Sequence, residues 1–134
     1  MKASDLFVKC LEEEGVTRIF GVPGEENADF MISLKQSKKI EFILCRHEQA
    51  AAFMADAYGR LTGKAGVCLS TLGPGVTNLM TGLADANMDR SPVVAIIGQG
   101  STNRLHKESH QIMDSISMVH PISKWAQTIL SPKN

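Results

Sequence analysis

Residues 65–78 read Ala-Gly-Val-Cys-Leu-Ser-Thr-Leu-Gly-Pro-Gly-Val-Thr-Asn. Ala65–Ser70 is an apolar run of strand length. Leu72-Gly73-Pro74-Gly75 is a turn, because proline fixes its own φ and glycine tolerates a positive one. A helical pattern follows near Val76–Asn87. A strand that turns sharply into a helix is the repeating unit of a parallel sheet, whose neighbouring strands need a crossover between them.

The same unit recurs on both sides. Upstream, Ser4 is a candidate N-cap for a helix carrying Leu6, Phe7, Cys10 and Leu11, closed by Gly15. Val16–Phe20 then predicts a strand, Gly21-Val22-Pro23-Gly24 a turn, and Asn27–Ser37 a helix with Phe30, Met31 and Leu34 on one face. Glu41–Cys45 predicts a second strand. His47–Thr62 has the strongest helical period, with Ala50, Ala51, Phe53, Met54, Ala57, Tyr58 and Leu61 recurring at three and four. Downstream, Pro92–Ile97 is almost wholly apolar, as expected of a strand buried on both faces. Gly98–Lys107 reads as loop, residues 108–119 as a short helix and Ser123–Leu130 as a fifth strand. The alternation predicts an α/β fold with a mainly parallel sheet and right-handed crossovers.

The 134 residues amount to one domain, and 43% apolar content is enough for a core. Lys plus Arg and Asp plus Glu each number 14, which excludes polyanion binding by bulk charge and argues against disorder. Aromatic residues, at 5%, are too few for a nucleic-acid stacking platform. Cys10, Cys45 and Cys68 are odd in number, widely spaced and set in apolar stretches, so buried free thiols and a reducing cytoplasm are expected. The N-terminus lacks a signal-peptide pattern, and no apolar run nears the roughly 18 residues of a membrane span.

In an open α/β sheet, ligands sit beyond the carboxyl ends of the strands. Gly21–Gly24, Arg46–Glu48, Thr71–Asn78 and Gly98–Gln111 fall there and should converge. Gly73-x-Gly75-x-x-Asn78 approaches a dinucleotide fingerprint but lacks its third glycine and its acidic ribose ligand. Gly98-x-Gly100 also lacks the third glycine. His106 and His110 are spaced i, i+4 without a third ligand, so no metal site is assigned. Ser70, Thr71 and Ser101 have no evident His/Asp partners for a hydrolase triad. Glu48 has two readings. One is a carboxylate complementing the helix macrodipole. The other is a carboxyl group at the ligand edge, shielded by Ala50, Ala51, Ala52 and Phe53, that shares a proton with a ligand nitrogen.

Taken in order, Gly21–Gly24, Arg46–Ala52, Ala57–Gly63, Gly73–Asn78 and Met88–Val94 resemble the pyrimidine-binding domain of thiamine-diphosphate enzymes. The match covers nearly the whole chain. Within that superfamily the chain is most similar to acetolactate synthases. His110–Asp114 followed by Pro121–Lys124 resembles the catabolic branch, since the anabolic enzymes carry Phe and Glu where His110 and Ile112 stand. The resemblance implies the three-layer α/β/α thiamine-diphosphate-binding fold. It assigns Glu48 to the aminopyrimidine N1′, activating the cofactor for attack on a 2-oxo acid. Pro74 and Asn78 would line the pyrimidine pocket, Gln111 would face the reacting centre, and Val22, Pro23 and Gly24 would form the turn beside the cofactor.

The resemblance also implies what lies elsewhere. The family holds the diphosphate and Mg2+ through a Gly-Asp-Gly stretch followed by Asn, on another domain, and this sequence has no Gly-Asp-Gly. Residues 1–134 are therefore expected to be an N-terminal pyrimidine-binding domain lacking its last helix and strand, inactive alone and prone to self-association. The full-length enzyme is expected to be a homodimer or homotetramer acting on pyruvate, without nucleic acid or membrane partners, and the catabolic-like stretch argues against FAD. The other readings are another thiamine-diphosphate-dependent 2-oxo-acid decarboxylase or ligase, and a noncatalytic α/β binding module.

Overall fold

A computed structural model describes residues 1–105 and 107–131. Its elements are α1 (Ala3–Glu13), β1 (Arg18–Gly21), α2 (Ala28–Leu34), β2 (Glu41–Leu44), α3 (Glu48–Thr62), β3 (Gly66–Ser70), α4 (Pro74–Met88), β4 (Val93–Ile97) and α5 (Ser115–Val119). Short 3-10 turns occupy Glu25–Asn27 and His120–Ile122. The four strands form one sheet in the order β2-β1-β3-β4, and every pairing is parallel.

The period-two geometry of β3 sorts the core. Val67 and Leu69 point to one face, where they join Ile19 of β1, Val8 and Leu11 of α1, and Phe30 and Leu34 of α2. Cys68 points to the other face, against Ala51, Ala52 and Ala55 of α3 and Leu79 of α4. The crossover from β1 to β2 therefore lies on one face. The crossovers from β2 to β3 and from β3 to β4, which run the opposite way along the sheet, lie on the other. Right-handed connections require this arrangement, which is the three-layer architecture predicted. Every residue of β3 is buried, and complete burial of side chains such as Ile19 and Leu69 stabilises by about 1.5–3 kcal/mol each. Cys68 is completely buried in this layer, and loss of solvation pushes its thiol up to about 12.

Gly66 lets α3 lie directly on β3. A Cβ there would stand 1.9 Å from the Ala55 carbonyl oxygen. At the far ends of α3 and α4, Arg60 pairs with Asp56 at 2.7 Å, with Asp85 at 2.9 Å and with Asp89. Asp56 is 4% exposed, and hydrogen bonding from Arg60 holds its carboxyl below the ordinary 3.8.

Several expectations are corrected. Lys2 rather than Ser4 precedes α1. The Asp5 carboxylate accepts the Lys2 amide at 2.9 Å, while Ser4 lies inside the helix and meets Ser33. Cys10 is exposed, because α1 turns Val8 and Leu11 inward instead. β4 is an edge strand with Val94 exposed, and the strand buried on both faces is β3. Ser123–Leu130 forms no strand. A strand exists only through its ladder, and this stretch pairs with none of the four. Trp125, Ile129 and Leu130 are exposed. The expected helix at 108–119 is confined to α5, and His110 is exposed. His106 lies outside the described residues.

Gly66→Ala is expected to cost about 3 kcal/mol or more in urea unfolding, since neither backbone can yield. Asp56 supplies an acid limit. Its folded value lies below its unfolded one, so its contribution is full above pH ~4 and is lost as pH falls through the folded value. Unfolding midpoints measured down the pH scale should drop there, and Asp56→Asn should flatten the drop.

Candidate active site

β1 and β3 are neighbours whose crossovers leave in opposite directions, so a crevice opens beyond their carboxyl ends. On the β1 side the chain passes through Val22, Pro23 and Gly24. The Val22 amide donates to the Leu69 carbonyl at 3.2 Å, tying this turn to β3. Asn27 closes the turn from within. Its Oδ1 accepts the Gly24 amide at 2.9 Å, and its Nδ2 donates to the Val22 carbonyl at 3.4 Å. On the β3 side the chain passes through Thr71 and Leu72 to Gly73, with Pro74 opening α4, where its fixed φ suits a first helical residue.

Glu48 is the first residue of α3. His47 caps this helix, its Nδ1 accepting the Gln49 amide at 3.1 Å. Glu48 is only 8% exposed. Its Oε2 accepts a hydrogen bond from Asn78 Nδ2 at 2.9 Å, across thirty residues of sequence. Its Oε1 lies beside Gly75, where a Cβ would stand 3.3 Å away and also 3.2 Å from Ser70 Cβ. Among the described residues no Lys, Arg or His forms an ion pair with Glu48, Arg46 and His47 included. Among the described residues no fully buried side-chain oxygen lacks a partner, so Oε1, which accepts no hydrogen bond from them, is reached by solvent. A carboxyl group held on one oxygen by a neutral amide, with the other open to a crevice, can share a proton with a ligand nitrogen.

Gln111 arrives from the long connection after β4. Its backbone adopts φ 57°, and Gly73 adopts φ 55° beneath it. A Cβ on Gly73 would stand 2.7 Å from the Gln111 carbonyl oxygen, so the two backbones touch. Left-handed backbone at a residue other than glycine is uncommon and clusters at functional sites. The Gln111 residue is exposed.

The structure thus joins Glu48 to Asn78 and sets Gln111 on the turn that leads to Pro74. Val22, Pro23 and Gly24 lie across the same crevice, where a Cβ on Gly24 would stand 2.8 Å from Thr71 Cβ. The sequence places Gly75 in a turn and Asn27 at the start of a helix, without a role at the site for Asn27. The signal for Asn27 was present, because an Asn three residues after a Pro-Gly can bond back to its own turn. No group of three or more His, Cys, Asp or Glu among the described residues could hold a metal ion.

A buried glutamate beginning a helix at the switch point of a parallel sheet defines a ligand-binding α/β domain. The family model described as "Thiamine pyrophosphate enzyme, N-terminal TPP binding domain" matches residues 1–118, and the chain belongs to that family. It is 46% identical over 133 residues to an acetolactate synthase of Bacillus subtilis, covering 99% of this chain and 23% of that protein. It is 45% identical to a probable acetolactate synthase large subunit of Methanocaldococcus jannaschii, covering 99% and 22%. To a catabolic acetolactate synthase of Raoultella terrigena it is 48% identical, covering 92% and 22%. The chain therefore spans less than a quarter of the length of these curated relatives.

Asn78→Leu, close in volume, would leave the Glu48 carboxyl without its hydrogen-bond donor. An unfolding measurement should show a loss of about 1–3 kcal/mol, with Glu48→Gln/Asn78→Leu less destabilised than the sum of the single changes.

Proposed function

We propose that this chain is the pyrimidine-binding part of a thiamine-diphosphate-dependent acetolactate synthase of the catabolic type. Such an enzyme decarboxylates pyruvate and joins the two-carbon unit to a second 2-oxo acid. The observation that carries the reading is the Glu48 carboxyl, held by Asn78 with Oε1 open beside Gly75. Thiamine diphosphate, when bound, supplies the electron sink for decarboxylation and carbon–carbon bond formation.

The chain's own residues bind and orient. Glu48 holds a proton toward the aminopyrimidine nitrogen, and the packed alanines of α3 limit water around it. Asn78 fixes the carboxyl plane, and Pro74 and Gly75 form the wall at the start of α4. Gln111 faces the reacting centre from above Gly73, and Val22, Pro23 and Gly24 border the cofactor on the β1 side. Mg2+ and the diphosphate belong to a domain of the longer enzyme, and no flavin is required. The three free thiols suit a reducing cytoplasm, and no helix of the described residues is long and apolar enough to cross a membrane.

The oligomer is proposed from α3. Its inner face packs on the sheet, yet Phe53, Met54 and Leu61 at helical spacing on its outer side are exposed, with Leu44 nearby in sequence also exposed. An exposed apolar stripe of this kind marks an interaction surface. It supports a homodimer or homotetramer in the full-length enzyme.

Two measurements test the reading. Coding sequence beyond Asn134 should contain Gly-Asp-Gly followed by Asn. In that product, Glu48→Gln should lower acetolactate formation from pyruvate by about 10²-fold or more, and near-normal turnover would sink the assignment. The 134-residue chain alone should consume no pyruvate and should self-associate in light scattering. A strictly monomeric species would count against the exposed stripe as an interface.

A further inference from the structure

Among the described residues, one side-chain hydrogen bond spans the crevice between the two turns that line it. Thr71 Oγ1, just past β3, donates to Glu26 Oε2 at 2.9 Å. Glu26 belongs to the 3-10 turn after Gly24, 45 residues away in sequence. Both residues are half-buried, and among the described residues Glu26 forms no ion pair. Thr71 is packed between the turns. A Cβ on Gly24 would stand 2.8 Å from its Cβ, and one on Gly75 would stand 3.4 Å from its Cγ2. That same Cβ on Gly75 would stand 3.3 Å from Glu48 Oε1. A Cβ on Gly98, just past β4, would stand 3.4 Å from both the Glu26 carbonyl carbon and the Thr71 Cα, so a third strand end abuts the backbone that carries the bond. Thr71 and the Glu48 carboxyl therefore both border the small volume that a side chain at position 75 would fill, and Glu26 holds Thr71 there.

We propose that Glu26 is a positioning residue. Its bond to Thr71 sets the separation of the β1 and β3 turns, and through Thr71 and Gly75 it sets the space in front of Glu48. The consequence for a ligand rests on the reading of this crevice as the aminopyrimidine site, whereas the latch itself is a property of the turns. A hydroxyl-to-carboxylate bond is the stronger, charge-assisted kind, suited to hold two turns that are otherwise joined only by backbone.

The test reads hydrogen exchange on the 134-residue chain and cofactor binding on the full-length enzyme. Thr71→Val keeps the shape of the side chain and removes the donor, Glu26→Ala removes the acceptor, and Glu26→Gln keeps an acceptor oxygen. Amide hydrogen exchange should rise by roughly fivefold in both residues 22–27 and residues 71–76 in Thr71→Val and in Glu26→Ala, the scale of one lost hydrogen bond. Exchange in β3 should be unchanged, and the double variant should behave like either single one. Glu26→Gln should restore most of the protection. Titration with thiamine diphosphate and Mg2+ should show weaker binding in the same two variants and recovery in Glu26→Gln. Unchanged exchange in either turn, an equal rise in β3, additive single variants, or Glu26→Gln as damaging as Glu26→Ala would each overturn the latch. Loosened turns with unaltered thiamine diphosphate binding would overturn its positioning role. If the wild-type full-length enzyme does not take up thiamine diphosphate, the aminopyrimidine reading fails, and the exchange data alone decide the latch.

Discussion

A carboxyl group carried to the start of a helix at the edge of a packed sheet must be given a partner, or the helix cannot seat there. In this chain the partner is an amide, Asn78, that comes from the next helix. The choice has consequences beyond one bond. A cation at position 78 would satisfy the charge more strongly but would occupy the carboxyl completely. A neutral donor holds one oxygen and leaves the other to a ligand. The first turn of α4 must then approach the carboxyl closely, which is why position 75 has no side chain. Residues 48, 75 and 78 form one device built from two helices.

The winding of the sheet supplies the place for that device. Because β1 sits between β2 and β3, the chain leaves β1 toward one edge and later returns past it toward the other. Helices fall on opposite faces, and the strand ends between them are left uncovered. The apolar layers on either side of β3 make this geometry stiff. The turns beyond the strands are held by specific bonds instead: Asn27 within the β1 turn, and Val22 to Leu69 between strands. Rigidity thus comes from packing below the crevice and from polar links at its rim.

Much of this was legible in the residues. Periodicity located the four paired strands and the helices α1 to α4, and the strand–turn–helix repeat located the ligand edge. Glu48 was legible as a candidate but not as a member of a pair, because its partnership with Asn78 depends on how two crossovers stack. Cys10 shows the limit of reading a stripe on a helix, since an apolar stretch does not say which of two adjacent faces turns inward. Ser123–Leu130 shows another limit. Its residue types suit a strand, but a strand is a relation between two segments, and the four strands seen offer it no partner. The apolar run of β4 misled in a related way, because an edge strand and a central one share composition and differ only in their neighbours.

The cluster of Arg60 with Asp56, Asp85 and Asp89 looks like ordinary surface chemistry, yet it lies at the opposite end of α3 from Glu48. Helices α3 and α4 are consequently pinned twice, by an amide–carboxyl bond at the crevice and by a shared guanidinium at the other end. A pair of rods fastened at both ends behaves as a single strut. Movement on ligand entry is therefore referred to that strut, and the compliance left to this domain is what the bonds within and between its turns allow.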